Sequence, residues 1–460
     1  MSKRKYSYRW LKRLGYINNI AKGGESIGNQ LAHLIVGVLG SLPSNAVSLR
    51  VSVAFYLSAV LEIPTGIIAD LIGHKRTLAL GYTIAAGASI SLFLACHFSD
   101  TPYALPLVIL NGILAAVAGG MMSGCFQAYL QHMIERGVER SGCVADDASE
   151  LKLKAIALSQ RYGVFFSGLL PVLVMAGAFT CYHVGVGAEW TLLVPAVIFA
   201  VLSCYFFLRG RDDPPRLRPF KRDAWTHCID YGLQLKSFYV ALLARSARDR
   251  ALFGLLVVRV VLSILTVIHV HTYLMVSELR SLDLQSGQFT ALLLGFGVLA
   301  AFDLAHYPKA LIAPIAGRHL SAQQVLYFSL SSQILLAIAA MCLLHGGYAT
   351  VAVISFVLLF TGVFSPGNTT LQSTFLADIP EDLRATVFSL VQILVLIVYG
   401  TYSAVLTWSG VGIGGPQQIF IELLSLAAAG LLLTLLSASL GPIKRPALAP
   451  ATAGTEAKDG

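Results

Sequence analysis

Between Glu62 and Arg76 the chain reads E-I-P-T-G-I-I-A-D-L-I-G-H-K-R. An apolar run carries one carboxylate, Glu62, and a proline, then reaches Asp70, passes Gly73 and meets the cations Lys75 and Arg76. A helix leaving a bilayer needs an end of this kind. Acid and cations sit where water and headgroups begin, and the glycine permits a tight turn into the next helix. Apolar stretches flank the turn at 48–70 and 76–98, and about 20 mostly apolar residues suffice for a crossing. The stretch therefore joins two crossings at one face of a membrane.

The same pattern continues in both directions. Twelve segments have the length and apolarity of a crossing: 17–42, 48–70, 76–98, 103–131, 155–180, 188–208, 251–276, 288–316, 323–345, 348–376, 384–408 and 417–440. Composition agrees. Of the 460 residues, 56% are apolar and 12% charged, where soluble proteins carry about 25% charged; the mean hydropathy is +0.72. A set of soluble domains is excluded. The net charge of +9 is topological, because basic segments alternate with apolar ones, and it gives no reason to expect nucleic acid. Seven scattered cysteines without a C-x-x-C pair argue against a disulfide framework or structural zinc.

Basic loops assign the sides. The N-terminal arm (too basic and interrupted for a secretory signal), His74–Arg76, 132–154 and 209–250 are expected to be cytoplasmic. Short, nearly uncharged loops around 43–47, 99–102 and 410–416 face outward. Both termini then lie in the cytoplasm, with the protein integral to the plasma membrane (the bacterial cytoplasmic membrane). The expected fold is all-α, with twelve transmembrane helices in two pseudo-symmetric six-helix bundles. The expected division is a basic arm at 1–16, a first bundle at 17–208, a linker at 209–250, a second bundle at 251–440 and a disordered tail at 441–460.

In this setting the 62–76 stretch resembles the signature of the major facilitator superfamily between helices 2 and 3, G-x-x-x-D-[RK]-x-G-[RK]-[RK]. Gly66, Asp70, Gly73 and Lys75 fall on its positions, while Leu71 and His74 depart from it. The resemblance implies a conformational lock of Gly66, Asp70, Gly73, Lys75 and Arg76. In it the aspartate faces the N-terminus of helix 11, here Pro380–Leu390, where free N–H groups and the helix dipole favour an anion. It also implies two six-helix halves, each with inverted triplets, that rock about a central site near mid-membrane. The E-I-P-T-G portion is most similar to exporters of drugs and small metabolites, siderophores among them, which implies efflux by proton antiport. Two exporter signatures are missing. Helix 4 has Asn111 and no arginine, and helix 5 has Gly163, Ser167, Gly168 and Pro171 rather than a G-x-x-x-G-P-x-x-G-G run.

Ionisable groups in a crossing cost roughly 2.5–3.5 kcal/mol, so each needs a partner or a role. Glu62 and Asp303 are the candidates for proton coupling. Asp303, near His306 and Lys309, has an internal ion pair with Lys309 or Arg259 as its plainer role. Isolated Ser or Thr in a crossing usually satisfies its own backbone. Polar stripes on helices 1, 7, 10 and 11 are different, because the resemblance places those helices around the cavity. They nominate Asn29, His33, Arg259, Tyr273, Asn368, Gln372, Gln392 and Tyr399, with Asn111 on helix 4. Gly120 and Gly124 form a small-xxx-small pattern suited to packing.

No H-E-x-x-H, G-x-x-x-x-G-K-[ST] or G-x-S-x-G motif in a strand context is present, so neither a catalytic site nor a cofactor or metal is expected. The function expected is a monomeric, proton-coupled exporter of a small organic molecule, with that solute, protons and lipid as its partners. An importer of a small nutrient with the same fold is the alternative. A polytopic enzyme acting on a lipid is a third reading, and it would need clustered Asp, His or Arg in a loop.

Overall fold

The computed structural model describes residues 9–32, 44–141, 162–209 and 322–348, together with residues 35, 300, 304, 307, 393, 396, 397, 401, 428, 431, 432 and 435. The described elements are helical. They are α1 (Arg9–Ala32), α2 (Ser44–Ile72), α3 (His74–His97), α4 (Ala104–Ser141), α5 (Val164–His183), a short 3-10 helix (Ala188–Leu192), α6 (Leu193–Arg209) and α7 (Ala322–His345). At least four segments are long and apolar enough to cross a membrane: His74–His97, Ala104–Met122, Val164–His183 and Ala188–Leu208. The protein has an all-α, polytopic membrane fold.

Helix ends differ from the apolar segments in an instructive way. α1 begins at Arg9 rather than 17, and α4 runs to Ser141 rather than 131. Hydropathy marks the hydrocarbon slab, whereas backbone hydrogen bonding continues past it wherever helix-forming residues follow. The turn between α2 and α3 is shorter than a loop. His74, Lys75 and Arg76 already form the first turn of α3, leaving Gly73 alone between the helices. Gly73 has φ 90° and ψ 144°, close to a backbone region that glycine almost alone adopts, and its amide donates to the Ala69 carbonyl at 2.9 Å.

α3 is the hub. It packs along α4 and α6, while α2 packs on α4 and α1 lies on α5. Stacked rings hold α3 to α6, with Tyr82 over Phe206 at 5.7 Å and Phe199 at 6.1 Å between centroids. Ser203 of α6 donates to the Ala79 carbonyl at 2.8 Å and shares a hydrogen bond with Thr83. Lipid is as apolar as leucine, so such interfaces rest on close packing and interhelical hydrogen bonds. Gly120 shows this on α4. A Cβ there would stand 3.1 Å from Thr65 Oγ1, and Thr65 donates to the Gly120 carbonyl at 3.0 Å. At the His97 end of α3, the imidazole lies 3.6 Å from Glu189, beside Trp190 and Phe93.

Candidate transport site

α1 has one face against α5 and α6 and a polar stripe beside it. Glycines allow the contact: a Cβ on Gly23 would lie 2.0 Å from the Phe166 carbonyl oxygen, and one on Gly24 would lie 3.1 Å from the Phe199 ring. Asn19 ties the joint together. Its Nδ2 donates to the carbonyls of Gly15 (3.0 Å) and Tyr162 (2.6 Å), and its Oδ1 accepts from Ser167 at 2.9 Å. Ser167 and Gly163 of the helix-5 segment therefore belong to a helix joint. Below it, Arg13 donates twice to the Tyr205 hydroxyl, at 2.7 and 3.1 Å, and Lys12 sits over the Tyr162 ring.

The stripe consists of Asn18, Lys22, Glu25, Ser26 and Asn29, at spacings that repeat every three or four residues and so share one side of a helix. Asn29, nominated from the sequence, is exposed on it; Lys22 and Ser26 are half-buried. Glu25 is exposed. It bears electrostatically on Lys22 and on the hydroxyl of Tyr82. Tyr82 is 0% exposed, and among the described residues neither its hydroxyl nor Asn18 Oδ1 has a hydrogen-bond partner.

A second polar junction joins α2, α3 and α4. Arg50 Nε donates to Asn111 Oδ1, and Asn111 Nδ2 donates to the Ala88 carbonyl at 2.6 Å. Asn111 is 2% exposed, so its amide is committed to joining three helices. Glu62 is 7% exposed, within α2. Gly66 and Asp70 occupy the last turns of that helix, followed by Gly73 and by Lys75 and Arg76 on α3. His33, Arg259, Tyr273, Asp303, Asn368, Gln372, Gln392 and Tyr399 lie outside the described residues, as do residues 210–250 of the linker and the 441–460 tail.

Three charged residues escaped the sequence reading: Lys22, Glu25 and Arg50. Each lies inside a segment long and apolar enough to pass as a crossing, and its charge alone was a usable signal. An average over about 20 residues hides it.

A sequence model of the Major Facilitator Superfamily matches residues 26–401. No curated protein sequence matches the chain. Among solved structures, the fold is similar to the nucleoside transporter NupG, with TM-score 0.55 and 15% identity, over 94% of this chain and 98% of that one. It is also similar to a POT family transporter in complex with 5-aminolevulinic acid, with TM-score 0.60 and 13% identity, over 94% and 97%. A POT family transporter in complex with a thioalcohol conjugated peptide gives TM-score 0.59 and 12% identity over the same shares. These likenesses correct the expectation of an efflux antiporter of the drug or siderophore type. The similar proteins are transporters of a nucleoside-, aminolevulinate- or peptide-handling kind. The physical reason for the error is plain. A lock at the end of helix 2 works in every cycle, whichever way the solute moves, and so carries no information about direction.

Proposed function

Because this chain belongs to the Major Facilitator Superfamily, in which catalytic chemistry gives way to transport, we propose that it imports a small polar organic nutrient by proton-coupled alternating access. Secondary transport of a small organic solute is the premise; direction and coupling are the proposal. The observation that carries it is the charged stripe on α1, where Lys22 and Glu25 share one face of a helix expected to cross the membrane. Charges so placed face water or solute, since lipid would oppose both. The resemblance to transporters of nucleosides and of an aminolevulinate- or peptide-binding kind supports a polar solute.

Within this proposal the chain forms twelve helices in two halves, with both termini cytoplasmic. Glu62 carries the proton: it is buried in α2, eight residues before Asp70, roughly 12 Å deeper at about 1.5 Å per residue. Asp303, six residues from Lys309, orients solute or holds helices together. Asp70, with Gly66, Gly73, Lys75 and Arg76, acts as the lock, and Asp70→Asn is expected to slow uptake without reducing the amount of protein inserted.

Vesicles with the chain oriented as in the cell are the test. An acid-outside gradient should drive accumulation of a labelled solute, and an acid-inside gradient should drive its loss. Glu62→Gln should abolish the gradient-driven part yet preserve exchange between equal pools, which needs no net protonation. Accumulation with an unchanged pH dependence in Glu62→Gln would remove the assignment of Glu62. Gradient-driven extrusion would remove import.

A further inference from the structure

We infer that α1 carries a recognition site for a small zwitterion, in which Lys22 holds the solute's carboxylate and Glu25 holds its ammonium. This deepens, and rests on, the transport function proposed above.

Lys22 and Glu25 are three positions apart, so their Cβ atoms are about 5–6 Å from each other on one helix face. Side chains of this length at this spacing often pair with each other. Among the described residues neither makes a hydrogen bond or an ion pair within 4.0 Å, although each feels the other's charge. Three N–H donors on the ammonium and about four lone-pair sites on the carboxylate are thus open to a solute.

Independent support comes from α3. Tyr82 is held rigidly between Phe199 and Phe206, and Phe199 is the residue that Gly24 of α1 abuts. That stack fixes the phenol beside the α1 stripe. Its buried hydroxyl has no partner among the described residues, and the same holds for Asn18 Oδ1, one turn before Lys22. An unmet buried polar group is costly to keep. Asn18, Lys22 and Glu25 lie along about two turns of one helix face, and the cation and anion among them are the complement of a molecule bearing both charges.

The pairing discriminates chiefly by rejection. A simple carboxylate would satisfy Lys22 and leave Glu25 unmatched, while a simple amine would do the reverse. A neutral solute would strip water from both without replacing it. Only a zwitterion, such as an amino acid, an ω-amino acid or a short peptide, answers both charges.

The test uses the full-length protein in lipid vesicles, with uptake or competition by alanine, dialanine and 5-aminolevulinic acid. Levulinic acid lacks the ammonium, and 5-aminolevulinic acid methyl ester lacks the carboxylate charge. At least one zwitterion should be recognised roughly ten- to a hundredfold better than its singly charged counterparts, the range of one charge-assisted contact. Glu25→Gln should erase the advantage of the amino acid over its deaminated acid. Lys22→Gln should erase the advantage over the ester. Glu25→Asp and Lys22→Arg should retain both preferences and so exclude misfolding as the cause. The inference fails if the vesicles transport a neutral solute such as uridine and ignore every zwitterion, or if Glu25→Gln keeps its preference for the ammonium. The transport function itself fails if no solute of any class crosses.

Discussion

Arg50 shows how a charge is accommodated within a membrane helix. Its guanidinium meets no carboxylate within 4.0 Å among the described residues; it is met by the carbonyl end of Asn111, whose amide end is fixed on the Ala88 carbonyl. The amide thus works as an adaptor between a cation and a backbone acceptor. Removing one partner leaves the other desolvated and unmatched, whereas removing both leaves two apolar surfaces in contact. Asn111→Leu and Arg50→Leu are each expected to destabilise the protein by about 1.5–3 kcal/mol. The double replacement should recover much of that loss. A double-mutant cycle of thermal unfolding in detergent measures the coupling. Strictly additive losses would mean that Arg50 and Asn111 act separately.

At the scale of elements, α1 and α5 are joined by the absence of a side chain. A Cβ at Gly23 would overlap the Phe166 carbonyl oxygen at 2.0 Å, and a backbone atom cannot rotate aside. Gly23→Ala must therefore push the helices apart and strain the Asn19–Ser167 hydrogen bond, at about 1–3 kcal/mol. Gly177 on α5 provides the contrast. It is exposed, with nothing within 4 Å of its added Cβ among the described residues, so Gly177→Ala should be neutral or should stabilise by up to about 1 kcal/mol through helix propensity. Thermal unfolding of the two variants side by side separates close packing from a general intolerance of alanine. Equal losses in both would remove the packing argument.

At the scale of the whole molecule, one hydrogen bond links distant parts of the chain: the Tyr56 hydroxyl of α2 donates to Thr401 Oγ1 at 3.0 Å, and Thr401 donates to the Ile397 carbonyl at 2.8 Å. Tyr56 lies eight residues from the expected outer edge of helix 2 at 48, and Thr401 seven from that of helix 11 at 408. In the proposed topology both therefore sit about 10–12 Å below the outer surface, at about 1.5 Å per residue. A bond between the halves at that depth must break when they part on the outer side. Tyr56→Phe should accordingly shift the population toward wider outer separations, read as spin-label distances between Asp100 and Ser409 in a cysteine-free background. An unchanged distance distribution would make the contact incidental. Reporter fusions test the same topology: Asp213 and both termini should read cytoplasmic, and Asp100 external.

Hydropathy sufficed for the membrane fold, because solvent acts on each segment as a sum over neighbouring residues, and the motif through Gly66, Asp70, Gly73 and Lys75 pointed to the family. The same summation concealed Lys22, Glu25 and Arg50, each diluted by its apolar surroundings. Asn111 was legible as a polar residue in helix 4, yet its role was not. Its partners lie 61 positions away on α2 and 23 away on α3, and no local spacing rule connects them. The tertiary structure alone decided that Asn111 joins helices, that Lys22 and Glu25 on α1 stay unpaired among the described residues, and that Tyr82 stacks between Phe199 and Phe206. Such juxtapositions depend on the depth and rotation at which helices pack, and these are set by close contacts such as Gly23 on Phe166 rather than by the hydrophobicity of any one segment.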